Sequence, residues 1–136
     1  MFSLRLLTAA AAVLGSAPGT TAQSEALYSC TDTRTARPVE IGVTICDASA
    51  TEALAARFED ENLQRRSGAL ITDVSAGSLA QIAGLAPGDV IYRVGGVDVE
   101  DEVEASARLA QIGKDSDTVV NFLRGGRPYR VKLRQR

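Results

Sequence analysis

The sequence predicts an α+β domain of about 100 residues, built from five to six strands and two to three short helices. Three observations predict it. Short runs alternate apolar with polar or small residues, the period of a half-buried strand. Paired glycines, Gly95-Gly96 and Gly125-Gly126, separate two such pairs of runs as hairpin turns do. Residues 50–60 and 101–112 instead repeat their apolar positions at helical spacing.

The N-terminus stands apart. Arg5 precedes the apolar run Leu6 to Leu14, interrupted only by Thr8. Gly15, Ser16, Pro18 and Gly19 then break any helix, and Thr20-Thr21-Ala22 offers the small residues of a cleavage site. The run is too short to span a bilayer. Residues 1–22 are therefore expected to be a signal peptide, residues 23–37 a polar leader over the surface, and residues 38–136 the folded domain. Export would place the mature protein in the periplasm or outside the cell, with no membrane span after signal removal. Loss of Arg5 takes the formal net charge from -2 to -3.

Pro38 introduces a strand from Val39 to Cys46, with Ile41, Val43 and Ile45 on one face and Gly42, Thr44 and Cys46 on the other. Ser49 and Glu52 have capping-box spacing ahead of the helix over 50–60, in which Leu54, Ala55 and Phe58 share a side. Gly68 opens a strand over 69–74 whose adjacent Leu70 and Ile71 predict burial on both faces. Ser78 caps a short helix over Leu79 to Ala83, and Leu85-Ala86-Pro87-Gly88-Asp89 makes a tight turn. Strands follow at Val90 to Val94, Val97 to Val99 and Val119 to Leu123. In the last strand Tyr129, Val131 and Leu133 alternate with Arg130, Lys132 and Arg134. Helix 101–112 carries two apolar sides, Val103/Ala107/Ala110 and Ala105/Leu109/Ile112, and a polar strip of Glu104, Arg108 and Gln111. If one side enters the core, the other needs a cover.

Composition excludes several function classes. The absence of His rules out Ser-His-Asp and Cys-His catalysis within this chain and any His-containing zinc site, and two Cys cannot build a Cys-rich one. Aromatic residues are 4% of the chain and no polybasic stretch occurs, so nucleic acid is not an expected partner. A Ser–Lys dyad finds no support, because Lys132 alternates outward and Lys114 sits in a polar loop, while the Ser78 hydroxyl has a capping role. The acidic run Asp98, Glu100, Asp101, Glu102, Glu104 reads as a calcium or cationic-partner site, or as a solvated helix N-terminus favoured by the dipole. The second is expected, and with it no enzyme activity, no catalytic residue, no metal and no cofactor.

The run from Gly68 to Gly96 carries a more specific pattern: Gly77-Ser78, then Ala83-Gly84-Leu85, then Pro87-Gly88-Asp89-Val90-Ile91. It resembles PDZ domains, in particular the circularly permuted bacterial form that follows the protease domain of periplasmic heat-shock (HtrA-like) serine proteases. The likeness extends upstream to Ile41 and downstream to Leu133. No protease domain precedes the pattern here, so a module standing alone is expected. The resemblance implies a partly open β-barrel or sandwich that binds a protein or peptide ligand between one strand and one helix, usually by its C-terminus. The carboxylate loop of such domains matches Ile41-Gly42-Val43, where glycine lets successive amides converge on an anion. Ile45, Ala105, Leu109 and Ile112 would complete an aliphatic groove for an apolar C-terminal residue. The alternative is that all six apolar side chains are simply core. Glu40 lies beside the proposed carboxylate loop, with Arg37 near enough in sequence to offset it.

Cys30 and Cys46 are the only cysteines of a chain bound for an oxidising compartment, and a disulfide between them is expected; the alternative is one core thiol and one in a flexible leader. Cys46 has the opposite parity to Ile41, Val43 and Ile45 and should point away from the groove. A bridge would hold the leader against the groove strand, either stapling a frayed end or letting residues 23–36 occupy the groove. Two functions follow: an envelope adaptor that adds a ligand strand to its sheet, or a non-catalytic structural or regulatory subunit docking on a larger envelope protein with the groove unused or self-occupied.

Overall fold

The computed structural model describes residues 25–112 and 117–134. The signal-peptide reading of residues 1–22 and the Lys114 loop lie outside them. In chain order the elements are β1 Tyr28–Cys30, a 3-10 turn Thr33–Thr35, β2 Arg37–Val39, β3 Val43–Ala50, α1 Glu52–Arg57, β4 Ala69–Val74, α2 Leu79–Ala83, β5 Val90–Val94, β6 Val97–Asp98, α3 Glu102–Leu109, β7 Thr118–Arg124 and β8 Arg127–Leu133. The antiparallel sheet runs β1-β3-β4-β5-β7-β8, with β2 also paired to β3 and β6 to β5.

The sheet buries both faces, which is why its strands contain adjacent apolar residues. One member of each of the pairs Ile45-Cys46, Ile71-Leu70, Ile91-Val90 and Phe122-Leu123 goes to each side. Ile45, Ile71, Ile91, Phe122 and Leu133 share one cluster with Ala105 and Leu109 of α3 and Ala80 of α2. Cys46, Leu70, Val90 and Leu123 meet Leu27, Tyr28, Leu54 and Leu63. Both paired-glycine turns have positive φ at both residues, the mirror-image turn that a two-residue hairpin requires.

The stretch without a clear period is not a loose leader throughout. Residues 28–30 and 37–39 are strands on the edge of β3. Tyr28 anchors β1: it is buried, its hydroxyl donates to the Gln64 carbonyl at 3.2 Å and accepts from the Arg66 amide at 3.0 Å. Burial pushes its pKa up, against the Arg66 amide bond and the charges of Arg65 and Arg66. Because β1 pairs with Ala48–Ala50, β3 runs past Ser49, and the N-cap of α1 is Thr51 rather than Ser49. The Thr51 hydroxyl donates to the Ala26 carbonyl at 2.7 Å and accepts from the Leu54 amide at 3.4 Å.

Cys30 and Cys46 are joined in a disulfide spanning 16 residues, with Cα atoms 5.6 Å apart. Replacing both by Ser is expected to cost about 2–3 kcal/mol through the entropy regained by the unfolded chain. Urea midpoints of the oxidised protein, the reduced protein and the double Ser variant check this. The latter two should agree, and an unchanged midpoint would contradict it.

Candidate functional site

The loop Glu40–Gly42 is a tight turn between β2 and β3. The Gly42 amide donates to the Val39 carbonyl at 2.9 Å, and Gly42 has φ +102°. Two further bonds fix the loop from behind: the Ser75 amide donates to the Gly42 carbonyl at 2.7 Å, and the Ala80 amide of α2 to the Ile41 carbonyl at 2.9 Å. A Cβ on Gly42 would overlap the Cβ and Oγ of Ser78, the N-cap of α2. Glycine is thus required here by backbone conformation and by the close approach of α2.

Ile41, Val43 and Ile45 meet Ala105, Leu109 and Ile112 of the segment around α3 in a single apolar cluster, and all six are buried. The outer side of the helix is the other one: Val103 is 54% exposed, and Ala107 and Ala110 are exposed as well. The side expected to line the groove therefore forms core, and the side expected to enter the core faces solvent.

The edge of β3 away from β4 is not open. Arg37, Pro38 and Val39 pair with Ile45, Thr44 and Val43, and Tyr28, Ser29 and Cys30 pair with Ala50, Ser49 and Ala48. The Thr31 amide donates to the Asp47 carbonyl at 3.0 Å on the same edge. The strap formed by residues 28–39 runs antiparallel to β3 and ends at the Gly42 loop, with the Val39 carbonyl on the Gly42 amide. Half-buried Val39 packs on the aliphatic cluster. Pro38 suits such an edge, where its missing N–H is tolerated.

Arg37 lies with its Nε 2.8 Å from Glu102 Oε2, so its partner is Glu102 and not Glu40. Glu102 is only 5% exposed, and its Oε2 has no well-directed hydrogen bond despite that ion pair. The Glu102 amide donates to Asp47 Oδ1 at 2.7 Å, tying the start of α3 to β3. The rest of the acidic run is used locally. Asp101 caps the Glu104 amide at 2.8 Å, Glu104 returns to the Glu100 amide at 2.9 Å, and Asp98 pairs with Arg93 at 2.8 Å. Among the described residues there is no cluster of acids able to hold a metal ion, and no helix is long and apolar enough to cross a membrane. Glu102, Asp47 and Val39 are invisible as site residues in the sequence. The one available signal is the spacing of Arg37 and Val39, which puts both on one side of a strand.

Residues 70–124 match the family model described as PDZ domain. Over 69 residues the chain is 42% identical to HhoB of Synechocystis, described as a serine protease, covering 49% of this chain and 16% of HhoB. Over 73 residues it is 30% identical to a Do/HhoA-like serine protease of Haemophilus influenzae, described as periplasmic, covering 54% of this chain and 16% of that protein. The chain thus spans about a sixth of the length of these relatives, and the region shared is their PDZ part. Among solved structures, the PDZ domain of HtrA3 bound to a phage-derived ligand superposes with a TM-score of 0.54 at 18% identity, over 71% of this chain and 84% of that one. The HtrA-type protease AlgW with a decapeptide gives 0.52 at 23% identity, over 69% of this chain and 27% of AlgW. At these identities the structural likeness speaks for the fold alone. Sequence and fold agree: residues 70–124 match the PDZ domain family, and the chain is similar there to the PDZ part of HtrA- and Do-type serine proteases.

Proposed function

We propose that this protein is a peptide-binding module of the bacterial cell envelope, exported by its N-terminal signal, that takes an extended segment along β3 in competition with its own strap. It binds rather than catalyses. The observation that carries this reading is the strap itself: an extended segment lies antiparallel on β3 and ends with its carbonyl on the Gly42 amide. The slot therefore accommodates the kind of ligand that β-augmentation delivers, with an aliphatic residue in the place of Val39. Ile41, Gly42 and Val43 position the ligand's end, and the core cluster of Ile45, Ala105, Leu109 and Ile112, on which Val39 packs, forms the floor that a ligand's aliphatic residue would rest on. The HtrA3 domain with its phage-derived ligand and AlgW with its decapeptide support the same reading.

The strap next to the loop is lightly held. Arg37 and Pro38 are exposed, Val39 is half-buried, and the 3-10 turn buries nothing. β1, by contrast, is fixed by Tyr28 and the disulfide. Residues 31–39 can thus leave the edge while β1 stays. Arg37→Gly with Val39→Gly removes a half-buried side chain and the ion pair between half-exposed Arg37 and buried Glu102, together worth at least about 2 kcal/mol. Since apparent affinity scales with the open fraction, peptides should bind the variant at least about tenfold more tightly than the unaltered protein. Titration of a library of apolar-ended peptides into both proteins tests this. A second reading, a docking subunit whose groove stays filled, is favoured by the disulfide. It stands if neither protein binds any peptide.

A further inference from the structure

We propose that the free edge of β8 is a second docking surface, which takes an extended segment of a partner protein whose residues alternate between acidic and apolar. β8 ends the sheet order on the side opposite β1 and pairs with β7 alone, so its other edge has no strand partner among the described residues. The two-residue turn Gly125-Gly126 makes Arg124 and Arg127 a hydrogen-bonded pair, and the ladder alternates from there. Arg127, Tyr129, Val131 and Leu133 thus bond to β7. The N–H groups of Arg130 and Lys132 and the carbonyls of Pro128, Arg130 and Lys132 point outward. Pro128, which has no N–H, falls at an outward position, as this register requires. The strand is exposed from Arg127 to Arg130 and again at Lys132. The proposal is independent of the β3 slot.

The side chains along the edge decide the occupant. Residues 118–134 contain Arg124, Arg127, Arg130, Lys132 and Arg134 and no Asp or Glu, in a chain whose formal net charge is -2. Arg124 is paired with Asp89, and Arg134 lies 3.8 Å from Asp117. Among the described residues, Arg130 and Lys132 have no carboxylate within ion-pair distance. Both project from the same side of the strand. On the other side Tyr129 stacks on Phe122 with ring centroids 6.0 Å apart, and Leu133 shares a cluster with Ala80 of α2. Tyr129 is 50% exposed, and α2, which packs beside β8, carries Ile82 at 65% exposure. An added strand therefore meets cations on one side and apolar surface on the other. Cross-strand neighbours favour opposite charge and apolar contact, so the segment that fits alternates acids with apolar residues. A second copy of β8 is the wrong occupant, because it would set the same cations against one another. Proline and positive charge on an edge keep like strands apart, and the same charges attract an acidic one.

The test titrates residues 23–136, oxidised, with two acetylated and amidated heptapeptides of one composition. The first is Glu-Val-Glu-Val-Glu-Val-Glu and the second Glu-Glu-Glu-Glu-Val-Val-Val. Blocked ends deny both peptides a free carboxylate for the Gly42 loop. The alternating peptide should bind about tenfold or more tightly than the other, with affinity falling as salt rises. It should also slow amide hydrogen exchange at Arg130 and Lys132. Arg130→Glu with Lys132→Glu should abolish the preference. Equal binding of the two peptides means that charge alone attracts them, as an anionic membrane or polymer would, and overturns the proposal. So does the absence of binding, or binding that leaves exchange at Arg130 and Lys132 unchanged. Slowing confined to β3 overturns the β8 proposal and leaves the β3 slot standing. The peptide comparison and the exchange map need no substitution, so they decide the matter even if the double Glu variant fails to fold.

Discussion

Replacing Arg124 by Ala is expected to lower stability by about 3–4 kcal/mol, the cost of stripping a buried carboxylate of its cation. The carboxylate is Asp89, which is 1% exposed. It accepts from Arg124 Nε at 2.9 Å and Nη2 at 2.7 Å and from the Ala86 amide at 2.8 Å. Arg124 Nη2 also donates to the Gly84 carbonyl at 2.7 Å, and the Asp89 hydrogen bonds hold its pKa above the ordinary arginine value. The effect is asymmetric. Asp89→Ala removes the buried charge together with its need for a partner, and the freed Arg124, whose side chain is 46% exposed, is solvated. Asp89→Ala should therefore cost less, about 2 kcal/mol, and the double variant about the same as Asp89→Ala alone. Urea denaturation with an unchanged m-value measures all three. Additive losses, or a larger loss for Asp89→Ala, would show that the buried charge is not what Arg124 is there to satisfy. The pair bears on the slot because it fixes the turn that ends α2, and the start of α2 holds the Gly42 loop.

Sequence pattern reaches far in this molecule where one side chain decides one thing. The alternation of Val43 and Ile45, the two glycine hairpins and the Ser78 cap correspond to elements of the structure because period, turn conformation and capping are local properties, whereas the strand expected from Val39 to Cys46 is broken by the turn Glu40–Gly42, which takes Ile41 out of it. β1 and β2 are illegible for the opposite reason. Tyr-Ser-Cys and Arg-Pro-Val are too short to show a period, and they are strands only because β3 offers an edge and Tyr28 finds a pocket. The Thr51 cap is displaced by the same long-range pairing. Helix α3 shows a third limit. Its two apolar arcs are visible, but small alanines are at home on an exposed face as well as in a core, so the arcs alone do not reveal which side turns inward. Glu102 shows a fourth: an acid at a helix start is already explained by the dipole, and only burial beside Arg37 reveals a further role.

Gly42→Ala is expected to destabilise the domain by about 4 kcal/mol, more than conformational freedom alone accounts for. A non-glycine residue held at φ +102° costs roughly 1–3 kcal/mol. The new Cβ would also overlap Ser78, whose hydroxyl donates to the Ser75 carbonyl at 2.7 Å and accepts from the Gln81 amide at 3.1 Å. Pushing Ser78 aside sacrifices that cap, worth about 1 kcal/mol. A larger residue such as Trp would therefore disturb the start of α2 rather than plug the slot, and is no clean way of blocking ligands. The two causes separate in a double-mutant cycle. Ser78→Gly keeps an acceptable N-cap at a cost of a few tenths of a kcal/mol and removes the Cβ that the new methyl group would strike. In that background Gly42→Ala should cost only its backbone share, giving a coupling of about 1–2 kcal/mol between the two sites. A coupling near zero would mean that the loop does not rest on α2. The amides facing the strap would then owe their position to the β2–β3 turn alone.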